Sequence, residues 1–366
     1  MLSRRRFGVL SFSALAAGEA AYAKRYLEHS KFPSNLTLIN SNENPEGPPP
    51  VSIEAMKRAL PLGGRYRDQD MDALGDEIAE LEKVRGDEVM LGSGSSEVLN
   101  CAIIAFTSAR FPVITCVPVF ELPIETAQAM KHAVVTVPLK SNYAFDVGRL
   151  AEESKKAGGG FIYLCNPNNP TSTITPAADI DWLVANMHEN AILAVDEAYI
   201  HFDPNMESAM KHVASGRRRV IVFRTFSKIY GMAGLRVGFA CAKAELIQQM
   251  MPFRSNSISV VGVYAASAAM NDPSVVIERR KRLNGTRDRL CVWLRGQGFD
   301  YLEPHANFLM INVKRDVRGV IEGMGKQGVA VGRPFPPLNQ MLRVSVGSEA
   351  DMLKFRSVFE RVVRAS

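Results

Sequence analysis

One segment of this chain of 366 residues decides the prediction of its fold: Thr225-Phe226-Ser227-Lys228-Ile229-Tyr230-Gly231-Met232-Ala233-Gly234-Leu235-Arg236-Val237-Gly238-Phe239. The apolar run at 220–223 precedes it and is typical of a buried strand, and the run at 237–241 indicates a second strand. A lysine between two buried strands is costly unless something uses its amine. Lys228 is therefore a candidate functional residue, with an ordinary surface lysine on a connecting loop as the alternative.

The residues around Lys228 suit a phosphorylated aldehyde. A desolvated lysine amine is the nucleophile that forms a Schiff base with an aldehyde cofactor. Thr225 and Ser227 offer hydroxyl donors, and Arg236 offers a guanidinium fork, for a phosphate group. Lysine, hydroxyls and arginine together are the groups that bind pyridoxal 5′-phosphate (PLP), so the segment predicts this cofactor.

The pattern S-K-x-x-x-[ML]-A-G-L-R-x-G-[FY] closely resembles the cofactor-lysine segment of fold-type I PLP-dependent aminotransferases. Within them it is most similar to the histidinol-phosphate aminotransferase family. The resemblance implies an α/β fold, with a mostly parallel sheet sandwiched by helices and a small α+β C-terminal domain. We expect an N-terminal arm at 24–50, a large PLP-binding domain at 51–270 and the small domain at 271–366.

Two further segments match the family's cofactor site. Residues 89–97 indicate a strand, a Gly-rich turn and a helix, whose N-terminus can bind an anion. Through the family pattern G-x-G-S-x-E, the resemblance assigns the cofactor phosphate to the amides of Ser95 and Ser96. It also assigns to Phe120, at the end of a predicted strand, the ring that stacks on the pyridine; a core phenylalanine is the alternative.

The strand at 191–195 ends in Asp-Glu-Ala-Tyr, a second strong match. Asp196 offers a carboxylate that keeps a pyridine nitrogen protonated, so that the ring accepts electrons as the substrate α-proton leaves. The resemblance places Tyr199 and Asn169 on the cofactor's phenolic oxygen. Ser172 stands where the family has glycine after N-P-T, which raises a question about that loop.

The substrate and subunit contacts rest on the resemblance alone. It assigns the substrate α-carboxylate to Arg343 through a bidentate pair. It assigns a substrate phosphate to Arg333, although the spacing to Arg343 is a few residues shorter here. Asn44, in the segment N-E-N-P-x-G-P, would lie near the substrate. Tyr66, in R-Y-x-D, would reach the cofactor phosphate of a neighbouring subunit, which implies a homodimer.

Composition and charge argue against other classes. The net charge of +6 is spread out, and the cluster at 217–219 is interpreted as a solvated loop rather than a nucleic-acid site. The six histidines form no ligand cluster, so no metal is expected. The five cysteines are odd in number and lack a C-x-x-C spacing, which is typical of buried free thiols.

Residues 1–23 differ from the rest of the chain. A basic start at 4–6, a short apolar run and the small-x-small site at 21–23 predict a signal peptide. The sequence Ser3-Arg4-Arg5-Arg6-Phe7 resembles a twin-arginine signal, which implies periplasmic export. The apolar run is too short for a stable membrane span. A basic start to a cytoplasmic helix is the alternative.

Together these motifs predict a PLP-dependent aminotransferase, with Lys228 as the general base and Asp196 and Tyr199 as its catalytic partners. The resemblance suggests histidinol phosphate as the amino donor. Predicted export argues for a free amino acid, for example an aromatic one, because that phosphate is a cytosolic biosynthetic intermediate. The same motifs would also suit an amino-acid decarboxylase of this fold or a non-catalytic PLP-fold protein.

Overall fold

The structure is a computed structural model, which describes residues 36–216, 219–254 and 258–364. The predicted signal peptide lies outside the described residues, and so do the first part of the predicted arm and Arg217 and Arg218 of the basic cluster.

Eleven strands are assigned within the described residues. They are β1 (Thr37–Leu38), β2 (Val89–Ser93), β3 (Val113–Val117), β4 (Val134–Pro138), β5 (Phe161–Cys165), β6 (Ile192–Asp196), β7 (Val220–Thr225), β8 (Val237–Ala242), β9 (Phe308–Asn312), β10 (Val329–Ala330) and β11 (Met341–Ser345). Seven of them form one sheet in the order β2-β8-β7-β6-β5-β3-β4.

Among the described residues, helices alternate with the strands from β2 to β7. They are α1 (Pro50–Ala59), α2 (Asp68–Glu82), α3 (Ser95–Phe106), α4 (Leu122–Ala129), α5 (Val147–Lys156), α6 (Ala177–Asn186), α7 (Met210–Ser215), α8 (Ala244–Met250), α9 (Val260–Met270), α10 (Pro273–Gly296), α11 (Val317–Lys326) and α12 (Glu349–Arg364).

The seven-stranded sheet is mostly parallel. The strands from β3 to β7 run parallel to one another, while β8 pairs antiparallel with both β7 and β2. Every residue of β5 and β6 is buried, because helices cover both faces of the sheet. The predicted α/β architecture, with a mostly parallel sheet, is confirmed.

A second hydrophobic core lies around the C-terminal part of the chain. There β9 pairs antiparallel with β11, and the short β10 pairs parallel with β1. Ile39 from the arm is buried in this second core, and α10 contributes Leu283 to the large core and Leu290 to the small one. The arm and α10 therefore connect the two cores.

The carboxyl ends of three parallel strands place the candidate residues together. In β5 and β6 the final residues, Cys165 and Asp196, lie side by side, and β7 follows with its end at Thr225. Ligands of open α/β sheets bind beyond this edge, where the polar loops emerge.

No single helix within the described residues is long and apolar enough to cross a membrane. Taken together, α9 and α10 have the length and apolar composition of a membrane span, and the two helices are bent by 82° at the break between them.

Candidate active site

A cavity of about 430 Å³ lies at the carboxyl edge of the sheet. Twelve residues predicted for the site line it: Ser95, Ser96, Phe120, Asn169, Asp196, Tyr199, Thr225, Ser227, Lys228, Arg236, Arg333 and Arg343. These side chains come from both halves of the chain, so the cavity forms only when the two cores and the arm pack together.

One end of the cavity is built around the N-terminus of α3. Gly94 precedes the helix with φ +79°, a conformation that side chains rarely adopt. A Cβ atom on Gly94 would collide with the guanidinium of Arg236, and one on Gly238 would lie 2.9 Å from the Cα of Ser95. The two glycines therefore let β8 and Arg236 approach the amides at the helix N-terminus.

Hydroxyl groups and a cation complete this end. The Thr225 hydroxyl donates to the Ser227 oxygen over 2.9 Å and accepts from the Ser227 amide over 3.1 Å. Arg236 is exposed and lies 3.5 Å from the Ser227 hydroxyl. Amides, hydroxyls and a guanidinium that converge on one space are suited to a phosphate group.

Asp196 lies in the floor of the cavity and is only 4% exposed. One carboxylate oxygen accepts from the Tyr163 hydroxyl over 3.0 Å, and the other accepts from the Ala198 amide over 3.1 Å. Burial raises the pKa of the Asp196 carboxyl to about 6. A buried carboxylate is stabilised by a cationic partner, so this position suits the protonated nitrogen of a ring.

Lys228 extends into the same space. Its amine donates to the carbonyl of Ser41 over 3.4 Å and lies 5.5 Å from the centroid of the Tyr199 ring. Burial, followed by the nearby cation of Arg343, lowers the pKa of Lys228 to about 8. A substantial share of the amine is therefore neutral, and so nucleophilic, near neutral pH.

Tyr199 is held by a residue that the sequence did not single out. Asn42 donates from its side-chain amide to the Tyr199 hydroxyl oxygen over 3.1 Å. The Asn42 side-chain oxygen accepts from Ser345, which fixes which end of the amide faces Tyr199. Because the tyrosine oxygen accepts from Asn42, its own proton is left for an acceptor in the cavity. Asn42 lies in the N-E-N-P motif, which was the available signal.

Arg343 is 8% exposed and held on two sides. It donates to the side-chain oxygen of Asn169 and to the carbonyl of Asn40, each over 2.7 Å. Its Nε has no hydrogen-bond partner among the described residues. A guanidinium has five N–H donors, so three remain for a ligand. Since the Asn169 oxygen accepts from Arg343, the amide NH2 of Asn169 is available to donate to another acceptor.

Two predicted residues lie away from this cavity. Asn44 is buried, but its side-chain amide donates to the carbonyl of Ile229 over 2.9 Å, and the residue lines a neighbouring, smaller cavity. Tyr66 is 87% exposed and is not among the residues that line the cavity of its own chain. Within one chain, the structure therefore does not bring Asn44 or Tyr66 to the candidate site.

The lining of the cavity also contains an ion pair that the sequence did not suggest. The guanidinium of Arg333 pairs with the carboxylate of Glu121, which directly follows Phe120. The same guanidinium lies over the ring of Phe335, 4.3 Å from its centroid. Tyr163, which donates to Asp196, was also missed, because a tyrosine within a continuous apolar run normally indicates a core residue.

Ser172 adopts the conformation for which a glycine is usual, with φ +63°. This left-handed backbone costs roughly 1–2 kcal/mol for a residue with a Cβ. The Ser172 hydroxyl accepts from the Ala306 amide over 3.0 Å, and its carbonyl accepts from the His305 amide over 2.8 Å. The loop thus keeps its turn, and the serine ties it to the segment before β9.

The donor set fits PLP. The phosphate-binding end, the buried carboxylate and the amine of Lys228 offer a partner for the phosphate, the ring nitrogen and the aldehyde respectively. Among the described residues no group of three His, Cys, Asp or Glu side chains is placed to hold a metal ion. The five cysteines are buried free thiols.

Comparisons with known proteins point the same way. A family model described as "Aminotransferase class I and II" matches residues 34–359. The histidinol-phosphate aminotransferase of Moorella thermoacetica is 30% identical over 319 residues, which cover 86% of this chain and 82% of that protein. Histidinol-phosphate aminotransferase 1 of Nitrosococcus oceani is 31% identical over 335 residues, which cover 89% and 88%.

Solved structures share the fold. One is the crystal structure of a protein from Erwinia carotovora atroseptica whose sequence is 31% identical to this chain. It has a TM-score of 0.87, and the match covers 90% of this chain and 96% of that one. The histidinol-phosphate aminotransferase of Sinorhizobium meliloti in complex with pyridoxal-5'-phosphate has a TM-score of 0.84 at 24% identity, covering 92% and 98%. The second likeness concerns the fold alone.

Proposed function

The chain belongs to the class I and II aminotransferases and is a PLP-dependent enzyme, and we propose that it moves an amino group between an amino acid or amino-alcohol phosphate and a 2-oxo acid. One observation carries this proposal: a single cavity holds a lysine amine of lowered pKa, a buried carboxylate and a buried arginine with unused donors. These are the base, the ring-nitrogen partner and the carboxylate clamp that the reaction needs.

The cofactor end is held by residues with separate tasks. When bound, PLP supplies an electron sink, which the side chains of the protein lack. The amides of Ser95 and Ser96 with Thr225, Ser227 and Arg236 would hold its phosphate. Asp196 would keep the ring nitrogen protonated, and Phe120 lies in the cavity wall where it can contact the ring.

Lys228 moves the proton. Once free, the Lys228 amine would accept the proton from the α-carbon of the donor and return it at the end of the step. Arg343 orients the α-carboxylate of the acid substrate with its remaining N–H groups. The amide of Asn169 and the hydroxyl of Tyr199 would donate to the phenolic oxygen of the bound cofactor.

The donor remains to be chosen between two classes. The names of the relatives, histidinol-phosphate aminotransferases, support an amino-alcohol phosphate, which Arg333 would contact. The pairing of Arg333 with Glu121 favours the second class, a free amino acid.

The first test follows the visible absorbance of the purified holoenzyme while donors are added. We expect the yellow absorbance to bleach with a true donor and to return with a 2-oxo acid. Lys228→Ala should remove both the absorbance and turnover, and residual transamination would contradict the role of Lys228. Carbon dioxide release without an oxo product would instead indicate the decarboxylase.

We infer a homodimer in which Tyr66 serves the neighbouring subunit. Its exposure and its position outside the cavity of its own chain support this. Mixing inactive Lys228→Ala and Tyr66→Ala chains tests the idea, because one of the two sites in a mixed dimer would then carry both intact residues. We expect partial recovery of activity; no recovery in confirmed mixed dimers would contradict the shared site.

We also propose export by the twin-arginine route, on the basis of the motif at 3–7 outside the described residues. This route carries folded proteins, which suits an enzyme that binds its cofactor before export. Arg4→Lys with Arg5→Lys should retain the protein in the cytoplasm. Unchanged delivery to the periplasm would refute this proposal and leave the enzymatic one intact.

A further inference from the structure

Part of the cavity wall has no task in cofactor or α-carboxylate binding. It consists of Glu121, Leu122 and Glu125 at the start of α4, and of Arg333 and Phe335 between β10 and β11. A donor that Arg343 holds by its carboxylate presents its side chain to what remains of the cavity. We call these five residues the outer wall, and they are the candidates for choosing the donor.

Arg333, the cation of the outer wall, is already engaged. Its guanidinium pairs with Glu121, donates to the carbonyl of Pro334 over 3.0 Å and lies over the ring of Phe335 at 4.3 Å. A phosphate that binds Arg333 would first have to displace the Glu121 carboxylate. If it did not, two anions would share one guanidinium at close range.

The other charged groups of the cavity lining add to this effect. Once Lys228, Arg236, Arg343 and Asp196 have their tasks, the charged groups that remain in the lining are one guanidinium and three carboxylates. The carboxylates belong to Glu43, Glu121 and Glu125. A phosphomonoester carries about −1.5 to −2 charges at neutral pH. Among these remaining groups the phosphate would therefore meet more negative than positive charge. Leu122 and Phe335, in contrast, offer apolar surface to an uncharged side chain.

We propose that the amino donor is a free α-amino acid with an uncharged side chain, and that Glu121 rejects phosphorylated donors by holding Arg333. The proposal rests on the aminotransferase function proposed above and names its substrate class. Glu121 acts on the choice of donor and takes no part in moving the proton.

The test compares donors that differ in their phosphate, using the PLP-loaded enzyme. L-phenylalanine, histidinol and histidinol phosphate are each mixed with the holoenzyme, and kcat/KM of the amino-transfer half-reaction is read from the loss of visible absorbance. We expect kcat/KM for L-phenylalanine to exceed that for histidinol phosphate by about tenfold or more. We also expect kcat/KM to be lower for histidinol phosphate than for histidinol.

The variant Glu121→Gln is nearly isosteric and releases Arg333. It should raise the ratio of kcat/KM for histidinol phosphate to that for L-phenylalanine by about tenfold. This gain should disappear in Glu121→Gln with Arg333→Gln, because the released guanidinium is then absent. Glu54→Gln breaks an exposed ion pair outside the cavity and should leave the ratio unchanged.

Three outcomes would overturn the donor assignment. They are a preference of the unmodified enzyme for histidinol phosphate, an unchanged ratio in Glu121→Gln, and a gain that persists without Arg333. In each of them the amino-transfer half-reaction itself still occurs. If no donor yields an oxo product, the aminotransferase proposal fails, and the donor assignment fails with it.

Discussion

The amine of Lys228 should titrate near pH 8 in the cofactor-free protein, against 10.5 for an ordinary lysine. At pH 7.5 about a quarter of such an amine is neutral, compared with about 0.1% for a pKa of 10.5. The difference between a pKa of 10.5 and one of about 8 corresponds to about 3 kcal/mol. Below pH 8 both the folded and the unfolded chain carry the charged amine, so this destabilisation is fully present. It is relieved as the pH rises from 8 towards 10.5.

Substitutions around Lys228 should move this pKa in opposite directions. Burial is its largest cause and the Arg343 cation the second, so Arg343→Met should raise the pKa by about one unit at most. The Asp196 carboxylate opposes the shift, so Asp196→Asn should lower the pKa further. Arg333→Met removes a cation from the outer wall and serves as the control, with a midpoint that stays near 8.

Competitive acetylation of the cofactor-free protein, read at Lys228 by mass spectrometry between pH 6 and 11, measures these midpoints without turnover. Exposed lysines of the same protein provide the reference rates. A Lys228 midpoint near pH 10.5 in the unmodified protein would refute this account of the amine. Midpoint shifts of the same sign in the Arg343 and Asp196 variants would refute it as well.

Three other predictions can be tested on single variants. Because burial raises the pKa of Asp196 to about 6, the cofactor-free protein loses stability as the pH rises from about 4 to 6. Asp196→Asn lacks this carboxyl, so its stability relative to the unmodified protein should be about 3 kcal/mol higher at pH 8 than at pH 4, as measured by denaturant unfolding. Gly94→Ala places a Cβ against the phosphate-binding guanidinium and should weaken PLP binding about tenfold or more in fluorescence titration, whereas Gly63→Ala, in open space, should not. Asn42→Ala removes the donor to the Tyr199 oxygen and should raise the pH midpoint of the visible absorbance of the holoenzyme by about half a unit to one unit; an unchanged midpoint would remove Asn42 from the site.

Local sequence patterns accounted for the sheet and for much of the site. Continuous apolar runs predict buried parallel strands, and polar residues directly after such runs lie at one edge of the sheet, because parallel strands end there together. Asp196, at the end of β6, and the residues after Thr225, at the end of β7, follow from this rule alone. Their particular roles came from the resemblance to a known family, which runs from about Asn40 to Glu349.

The sequence by itself therefore determined which segments form the sheet and which side chains reach its carboxyl edge, because both depend on neighbours along the chain. Only the tertiary structure decided which polar atoms meet. Asn42 and Asn44 stand in one motif, yet Asn42, with φ +54°, reaches Tyr199, which lies 157 residues away, while Asn44 turns to Ile229. Likewise Arg333 meets Glu121 across 212 residues. Such partners come together through the packing of two cores and an arm, and no local pattern records that packing.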